Sequence, residues 1–451
     1  MPDNLQKPAT AAAKHKLIDW FRQAMPYINR HRGKVFVMML GGDAVADDNL
    51  DNLIHDIVLL NSLGIKIVIV HGVRKQLDEK LQQSAISSEF VHGLRVSTQT
   101  ILEQAIQACS LVRSKLETKL SMGLPNSPMH GAKVRVASAN VITAKPAGVI
   151  DGIDLQHTGF VRKIDTNAIE MLLDANNIVL LSPIGYSPAG EAFSLGHHHV
   201  ATEIAVALGA DKLLALIEAD GVGDAHTTLF RELDTEQAKQ LLDAAKHESR
   251  SASDASLQCL TAAVKALNAG VSRAHIMSFA RDGALLQELF SVDGVGTLVQ
   301  KEHFEEVRQA HAEDVPAIIE LIAPLETQGV LVKRDREQLE NEVDQFTVVE
   351  REGLIIALAA LYPFTEDAIG EIACIVTHMD YRNGARGATL LQALEKSAQQ
   401  QGLTKVFVLT TQTEHWFIER GFKPGDTGSL PAKKQSLYNY QRNSKVLVKA
   451  L

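Results

Sequence analysis

Short apolar runs alternate with amphipathic stretches over the first two-thirds of the chain, and this alternation limits the fold to a few architectures. The runs are rich in β-branched residues, as is typical of strands that are covered on both faces. They span residues 35–40, 66–70, 178–182, 212–217 and 275–279. Between the first two runs, the apolar residues of 50–60 fall at helical spacing. Strands that alternate with helices predict an α/β sandwich around a mostly parallel sheet.

The composition indicates a globular protein of two or three domains. The chain has 451 residues and a formal net charge of −9, which argues against nucleic acid or an anionic membrane as the main partner. No apolar run reaches the roughly 18 residues that a membrane-spanning helix needs. Residues 1–16 lack the apolar core of a signal peptide. Residues 7–16 are polar and rich in alanine, and we expect a disordered head at 1–16. Three widely separated cysteines, an odd number, indicate reduced thiols and a cytoplasmic protein.

A second informative segment spans residues 371–394. The apolar run 372–376 predicts a buried strand, a turn with Arg382, Arg386 and Gly387 follows, and leucines at helical spacing then predict a helix. A helix N-terminus offers unpaired N–H groups and the positive end of its dipole, and glycine lets a ligand approach the backbone closely. Two arginines add positive charge. The segment therefore indicates a phosphate site, although a basic turn of this kind can also be only a solvated surface.

The residues downstream of this turn extend the pattern. An apolar strand is predicted at 405–411, and the run 416–422 ends in Gly421-Phe422. Together these features resemble the GNAT acetyltransferases, except that Ala385 replaces the first glycine of the family's turn. The resemblance implies an α+β domain that binds acetyl-CoA as co-substrate and needs no metal, with the diphosphate on the turn and the thioester oxygen on a backbone N–H. By position, the acetyl-CoA-binding residues are Ile375, Val376, Arg382, Arg386 and Gly387.

Acetyl transfer to an amine needs a base, because only the neutral amine attacks a thioester. Glu371 opens the predicted strand where the resemblance implies a cleft, and we assign it this role; the alternative is a carboxylate that is paired for structural reasons. The tyrosine that many GNAT enzymes use as general acid is Phe417 here. Thr410, at the end of the second strand, is the first candidate to replace it through water, unless CoA leaves unassisted. Alternation along the strand predicts Cys374 on the face opposite Glu371, and an acetyl-cysteine intermediate remains an alternative.

The first two-thirds of the chain carry the motifs of another family. The motifs are Gly41-Gly42, His71-Gly72 and Asp220-Gly221, each after a predicted strand. They resemble the amino-acid kinase family over residues 17–300, which implies a three-layer sandwich. The family's strand-end lysine is Met39 here, and Val73-Arg74 fill the glycine-rich loop, so we expect no phosphoryl transfer; a bifunctional enzyme is the alternative. Adjacent side chains diverge, so we expect the triplet His197–His199 at the surface rather than on a metal.

The end of this kinase-like domain resembles the arginine-binding segment of the arginine-inhibited acetylglutamate kinases. A buried carboxylate at Glu288 would pair with a guanidinium, and a glycine-rich turn would offer carbonyls to the remaining donors. By position, the arginine-binding residues are Tyr27, Lys212, His275, Glu288, Gly294 and Gly296. The alternative is that Glu288 pairs locally and that the glycines only end the domain.

Together, the two halves resemble the bacterial N-acetylglutamate synthases over nearly the whole chain. The resemblance implies acetyl transfer from acetyl-CoA to L-glutamate, the first step of arginine biosynthesis, with L-arginine as effector. A substrate with two carboxylates needs cations and hydroxyls, and the candidates are Lys333, Arg334, Arg442 and Ser444. We expect a disordered head at 1–16, a kinase-like domain at 17–297, a linker at 298–303 and a GNAT domain at 304–451.

Two other functions stay open from the sequence alone. The protein could be an arginine sensor with a degenerate acetyltransferase half, against which the intact Glu371 and Gly387 argue. It could also acetylate another amine, such as a protein lysine, but the basic Lys333, Arg334 and Arg442 would repel an ammonium group. Arginine-binding kinase relatives form rings through an N-terminal helix, so we expect a homo-oligomer, a hexamer by analogy.

Overall fold

In the computed structural model the chain forms two compact units, Met1–Glu302 and His303–Leu451. Each unit has its own sheet and its own hydrophobic core. Among the described helices, none is long and apolar enough to cross a membrane. The structure describes residues 11–123, 129–223, 229–247, 254–291, 294–301, 305–351, 354–381, 386–435 and 444–451.

The first unit alternates helices and strands, as predicted. Its helices are α1 (Ala11–His31), α2 (Gly42–Ala46), α3 (Leu50–Ser62), α4 (Arg74–Gln83), α5 (Gln99–Leu120), α6 (Thr166–Asp174), α7 (His197–Ala207), α8 (Thr235–His247), α9 (Ala255–Asn268) and α10 (Ala284–Phe290). Its strands are β1 (Val35–Leu40), β2 (Lys66–His71), β3 (Phe90–Val91), β4 (Leu94–Arg95), β5 (Arg135–Ala137), β6 (Ile142–Pro146), β7 (Val149–Ile150), β8 (Ile153–Asp154), β9 (Gly159–Ile164), β10 (Asn177–Leu181), β11 (Ile184–Tyr186), β12 (Ala192–Ser194), β13 (Lys212–Ile217), β14 (Glu232–Asp234), β15 (Arg273–Ser278) and β16 (Thr297–Gln300).

Eight of these strands form the main sheet, in the order β14-β16-β15-β13-β1-β2-β10-β5. The described pairs are parallel except β15–β16. Phe36 and Met38 of β1 pack in a core with α3 and α5, whereas Val37 and Met39 pack in a second core with α7 and α9. Burial on both faces explains the continuous apolar runs, and the predicted three-layer sandwich is confirmed. Strands β12, β11, β6 and β9 form a second sheet in that order.

Both ends of the first unit differ from the boundaries that the sequence predicts. Helix α1 begins at Ala11, so residues 11–16 of the expected disordered head are helical; alanine is the residue with the highest helix propensity. At the other end, residues 298–300 of the expected linker belong to β16, which pairs with both β14 and β15. Val299 of this strand lies in the second core, which ties the segment to the sheet.

The second unit is built on one seven-stranded sheet in the order β17-β18-β19-β20-β21-β23-β22. The described pairs are antiparallel except β20–β21, which is parallel. Helix α11 packs on β19 and β20, and α13 contacts the same two strands. The helices are α11 (Val315–Thr327), α12 (Arg336–Glu342), α13 (Arg386–Gln400), α14 (Glu414–Ile418) and α15 (Ala432–Gln435). The strands are β17 (Glu305–Gln309), β18 (Phe346–Arg351), β19 (Leu354–Phe364), β20 (Ile369–Thr377), β21 (Lys405–Thr410), β22 (Lys423–Gly425) and β23 (Lys445–Ala450).

Candidate functional site

The candidate base Glu371 lies where two parallel strands of the second unit separate. The described pairing between β20 and β21 joins 369–371 to 405–407 and ends at Glu371, although both strands continue beyond it. The candidates for the thioester N–H, Ile375 and Val376, belong to the part of β20 beyond this fork. A strand edge that its neighbour leaves uncovered can pair with an extended ligand. The fork is therefore a suitable place for the pantetheine chain of acetyl-CoA.

A bulge at Cys374 redirects the side chains along β20. Cys374 has a φ of +55°, a left-handed conformation that non-glycine residues rarely adopt, and the register with β19 shifts between Leu358 and Ala360. The thiol lies in the core shared with α11, as does the ring of Tyr362, which is directly opposite Glu371 across the strands. The prediction that Cys374 lies on the face opposite Glu371 is wrong, because the extra residue of a bulge inverts the alternation.

The carboxylate of Glu371 has a lysine partner. Only 6% of Glu371 is exposed, and its Oε2 lies 2.7 Å from Nζ of Lys434 on α15. Helix α15 follows Leu430, which is buried in one cluster with Ile369 and Phe407, so the helix is held beside the fork. The sequence motifs did not indicate Lys434, since no pattern connects a strand end with a short helix so far along the chain.

Thr410, the candidate relay to the leaving group, ends β21 with its hydroxyl in a local network. Its oxygen accepts the backbone N–H of Gln412 at 3.3 Å and of Thr413 at 3.1 Å. The hydroxyls of Thr410 and Thr413 lie 2.8 Å apart. Such side chain to backbone bonds fix the hydroxyl at the strand end. Thr413 is thus a second hydroxyl at this position, which the motifs did not indicate.

The turn expected to bind the diphosphate is described in part. Arg382 lies outside the described residues. Arg386 begins α13, and its guanidinium donates to Glu305 at 2.8 Å and to the carbonyl of Tyr381 at 2.6 Å. A Cβ on Gly387 would lie 3.1 Å from the ring of Trp416. Arg386 therefore ties the start of α13 to β17, and Gly387 admits Trp416 against the same helix start.

Arg334, a candidate for binding a substrate carboxylate, lies on the face of the sheet that carries Glu371. Its backbone N–H donates to Glu326 on α11 at 3.0 Å, and its half-buried guanidinium lies beside the hydroxyl of Tyr362. Tyr362 in turn donates to Glu342 at 2.8 Å. Because Tyr362 and Glu371 are opposite each other on neighbouring strands, their side chains share one face.

The other three candidates for a substrate carboxylate belong to different segments of the sequence. Lys333 is exposed in the segment between α11 and α12. Ser444 directly precedes β23, the strand that pairs with β21. Arg442 lies outside the described residues. Arg334 is the candidate for which contacts on the face of Glu371 are described.

A buried cluster in the first unit contains the side chains predicted to bind arginine. Glu288 on α10 accepts a hydrogen bond of 2.7 Å from Nδ1 of His275 on β15. Nε2 of the same imidazole lies 3.1 Å from Nζ of Lys212 on β13, so the ring accepts from the lysine and donates to the carboxylate. Tyr27 is half-buried on α1, with its ring centre 6.5 Å from that of His31. His31 contacts the carbonyl of Leu289, the residue after Glu288, at 3.0 Å.

The glycine-rich turn after α10 wraps around the same carboxylate. Oε2 of Glu288 accepts the backbone N–H of Val295 at 2.7 Å and of Gly296 at 2.8 Å. Gly294 has a φ of +57°, and a Cβ there would lie 2.5 Å from that oxygen. Glycine is therefore required at Gly294 both for the backbone conformation and for the close approach. Two carboxylate oxygens can accept about four hydrogen bonds, and the described residues supply three of them to Glu288.

Burial and the mutual contacts set the charges in this cluster. Burial and the nearby charge of Arg273 lower the pKa of Lys212 to about 7. Burial and Lys212 lower the pKa of His275 to about 4, which makes the imidazole neutral at pH 7. Burial opposes the charge of Glu288, but the hydrogen bonds from His275 and from the turn hold the pKa of Glu288 at about 2. The cluster thus contains an ionised, buried carboxylate, the group that a guanidinium ligand requires.

Several side chains lie close to the glycines that follow β1 and β2. Met39 is 2% exposed and packs in the second core, and the amide of Gln76 donates to the carbonyl of Gly42 at 2.7 Å. His197 begins α7, and its ring lies 3.0 Å from where a Cβ on Gly72 would be. His197 is partly exposed, and with His198 and His199 it lines a cavity of about 490 Å³ next to these glycines. In the described part of the chain, no group of three or more His, Cys, Asp or Glu could hold a metal.

The surroundings of Cys374 make an acetyl-cysteine intermediate unfavourable. Burial raises the pKa of the Cys374 thiol to about 11, although Arg334 nearby acts in the opposite direction, and a neutral thiol is a poor nucleophile. We expect Cys374→Ala to keep kcat within about threefold and to keep an intersecting initial-rate pattern. Two results together would establish the covalent route instead: parallel double-reciprocal lines in the parent enzyme, and a kcat that is more than about 100-fold lower in Cys374→Ala.

The sequence matches two protein families. Residues 34–278 match the amino acid kinase family, and residues 312–422 match the acetyltransferase (GNAT) family. The amino-acid acetyltransferase of Pseudomonas putida (strain GB-1) is 50% identical over 434 residues, 96% of this chain and 99% of the relative. The amino-acid acetyltransferase of Ectopseudomonas mendocina (strain ymp) is 50% identical over 437 residues, 97% of this chain and 100% of the relative.

The solved structures include similar chains that match nearly the whole of this chain. N-acetylglutamate synthase from Neisseria gonorrhoeae, complexed with coenzyme A and L-arginine, is 38% identical with a TM-score of 0.86. The match covers 96% of this chain and 99% of that chain. The same enzyme complexed with coenzyme A and N-acetyl-glutamate matches over the same shares with a TM-score of 0.61. The likeness therefore extends over both units.

Proposed function

Because the chain belongs to the amino-acid acetyltransferase family, we propose that it transfers the acetyl group of acetyl-CoA to the α-amino group of L-glutamate, as the first step of arginine biosynthesis. The protein is an amino-acid N-acetyltransferase with acetyl-CoA as co-substrate. The observation that supports glutamate most is a half-buried cation, Arg334, beside Tyr362 on the face of Glu371. The relative complexed with N-acetyl-glutamate supports the same substrate.

In the proposed reaction, Glu371 removes one proton from the α-ammonium group of glutamate, directly or through water. The neutral amine attacks the thioester carbonyl, and the N–H of Ile375 or Val376 stabilises the oxyanion that forms. When the tetrahedral intermediate collapses, the carbon–sulfur bond breaks and CoA leaves as a thiolate. The second proton of the nitrogen passes to this thiolate through Thr410 and water, so the products are N-acetyl-L-glutamate, CoA and the proton on Glu371.

Substrate selection tests this proposal. The purified chain is incubated with acetyl-CoA and, in turn, L-glutamate, L-glutamine, L-aspartate or a lysine-containing peptide, and CoA release is followed. We expect kcat/KM for glutamate to exceed the other values by at least about 100-fold, because polar groups built for two carboxylates reject ligands that leave them unpaired. A preference for the peptide would identify a protein-lysine acetyltransferase. No turnover with any acceptor, in a protein that binds arginine, would identify a sensor.

Arg442 is proposed to bind a carboxylate of glutamate. We expect Arg442→Ala to raise the KM for glutamate by about 10- to 100-fold, the usual cost of losing a charge-assisted hydrogen bond, with a smaller change in kcat. Steady-state kinetics with each substrate varied in turn measures both effects. Lys423 is an exposed residue of the same unit, and Lys423→Ala is the control. An increase confined to the KM for acetyl-CoA would mean that Arg442 binds acetyl-CoA and not glutamate, which would contradict the proposal.

We also propose that L-arginine binds the cluster around Glu288 and inhibits acetyl transfer. Inhibition is the expected direction because arginine is the end product of the proposed pathway. The support is a buried, ionised carboxylate next to a neutral imidazole. A relative of 38% identity has been solved as a complex with coenzyme A and L-arginine. The positions Tyr27, Lys212 and Gly296 are proposed to complete the site.

The first unit is proposed to have lost phosphoryl transfer. Met39 cannot neutralise the charge that develops on a transferred phosphoryl group, and Gln76 and His197 occupy the space beside the glycines. We expect no ATP-dependent phosphorylation of glutamate or N-acetylglutamate above a control without enzyme. Trapping of an acyl phosphate with hydroxylamine measures this directly, and a signal that depends on enzyme and ATP would make the protein bifunctional.

A further inference from the structure

We propose that Lys434 determines specificity by binding the α-carboxylate of the amino-acid substrate while Glu371 binds its α-ammonium group. The inference deepens the proposed function and rests on the role of Glu371 given there. It starts from the ion pair of these two side chains, with Nζ and Oε2 2.7 Å apart at the fork of β20 and β21. The ammonium of Lys434 occupies the position next to the carboxylate that a substrate ammonium needs.

The position of Lys434 lets its ammonium group contact both Glu371 and the α-carboxylate of the substrate. Its side chain is 29% exposed, whereas that of Glu371 is 8% exposed, so the lysine reaches from the buried carboxylate towards solvent. The backbone of α15 is fixed by the hydrogen bond of 2.8 Å from the N–H of Lys434 to the carbonyl of Pro431. The amide of Gln435 donates to the carbonyl of Leu430 at 2.7 Å. A fixed backbone with a long, rotatable side chain allows the ammonium to shift without moving the helix.

The charges in the site explain why a carboxylate must accompany the amine. A substrate ammonium that reaches Glu371 also approaches the ammonium of Lys434, and like charges at contact distance repel each other. In an α-amino acid the carboxylate is attached to the same carbon as the amine. The substrate carboxylate can therefore lie against Lys434 while the substrate ammonium lies against Glu371. The two charges of the substrate and the two of the protein then alternate in sign. A simple amine lacks this anion, so Lys434 selects α-amino acids by repelling amines without one.

Two analogues of glutamate separate the contributions of its carboxylates. 4-Aminobutyrate is glutamate without the α-carboxylate, and L-2-aminobutyrate is glutamate without the side-chain carboxylate. The inhibition constants of both are measured against glutamate in the parent enzyme and in Lys434→Met, Lys434→Arg and Lys433→Met. Methionine keeps the length of the side chain without its charge, and the exposed neighbour Lys433 is the control.

We expect Lys434→Met to raise the KM for glutamate and the inhibition constant of L-2-aminobutyrate by about 10- to 100-fold, the range for a lost charge-assisted hydrogen bond. The inhibition constant of 4-aminobutyrate should stay the same or fall, since the repulsion is gone. The KM for acetyl-CoA should change less than about threefold, Lys434→Arg should recover most of the glutamate affinity, and Lys433→Met should behave like the parent.

Two outcomes would contradict the proposed role of Lys434. If Lys434→Met lowers kcat and leaves the KM for glutamate and both inhibition constants unchanged, Lys434 only positions Glu371, and the inference is wrong. Equal weakening of both analogues also contradicts it, because the α-carboxylate is then not the group that Lys434 binds. Absence of glutamate turnover in the parent enzyme would instead contradict the proposed function, so the two failures are distinguishable.

Discussion

We expect Glu371→Gln to lower kcat by about 10²–10⁴-fold, the usual contribution of a positioned base. Glutamine keeps the shape of the side chain at the fork of β20 and β21 but cannot accept the proton of the substrate ammonium. The measurement is steady-state CoA release over a range of pH, with circular dichroism to confirm the fold. Glu366→Gln, at an exposed turn between β19 and β20, is the matched control and should keep the parent rate.

A loss of less than about threefold in Glu371→Gln, with an unchanged pH profile, would mean that another group deprotonates the amine. Loss of folded protein would not decide the matter, so the variant is compared with the parent by thermal unfolding before its kinetics are interpreted. A folded variant with the full rate would remove Glu371 from the mechanism. The ion pair with Lys434 would then be only structural.

We expect Glu288→Gln to remove most of the sensitivity to L-arginine while leaving the rate without arginine unchanged. The amide keeps the side-chain volume between His275 and the turn at Val295 and Gly296, but the charge that attracts a guanidinium is lost. Arginine affinity should fall by about 10- to 100-fold. A coupling free energy of about 1–3 kcal/mol between arginine binding and substrate binding corresponds to about 5- to 150-fold changes in substrate affinity. The loss of arginine sensitivity in the variant is therefore large enough to measure.

Calorimetry of the full chain with L-arginine, together with inhibition curves, tests the role of Glu288. Glu191→Gln, exposed in the same unit, is the control and should bind arginine like the parent. If Glu288→Gln is still fully inhibited by arginine, the effector binds elsewhere. If the parent chain binds no arginine by calorimetry, the proposed regulation is wrong as a whole.

The fold and the strand–turn–helix segment of the second unit could be predicted from local patterns. The strands of the first unit are continuous apolar runs because both faces are buried, which is visible in β1 and β2. Local chemistry determines such features, so a single sequence contains them. The grouping of Lys212, His275 and Glu288 came instead from the resemblance to the arginine-inhibited acetylglutamate kinases, and these residues lie in contact.

The features that could not be predicted depend on contacts between distant segments. The bulge at Cys374 inverts the side-chain alternation, and no residue type in β20 indicates where a bulge occurs. The partner of Glu371 is Lys434 on a four-residue helix without a motif of its own. The ring of His197 lies against Gly72, where the missing side chain leaves room for it, and no local pattern connects these two residues. In each case tertiary packing decides the outcome.

The identity of the new bond tests the central claim most directly. The full chain is incubated with acetyl-CoA labelled with ¹³C at the acetyl carbonyl and with ¹⁵N-L-glutamate, and the product is analysed by nuclear magnetic resonance. We expect a carbonyl signal split by one-bond coupling to ¹⁵N, formed in step with free CoA and absent without enzyme. Release of CoA without this coupled signal, or an acetylated product that contains no glutamate nitrogen, would contradict the proposal that the protein acetylates the α-amino group of glutamate.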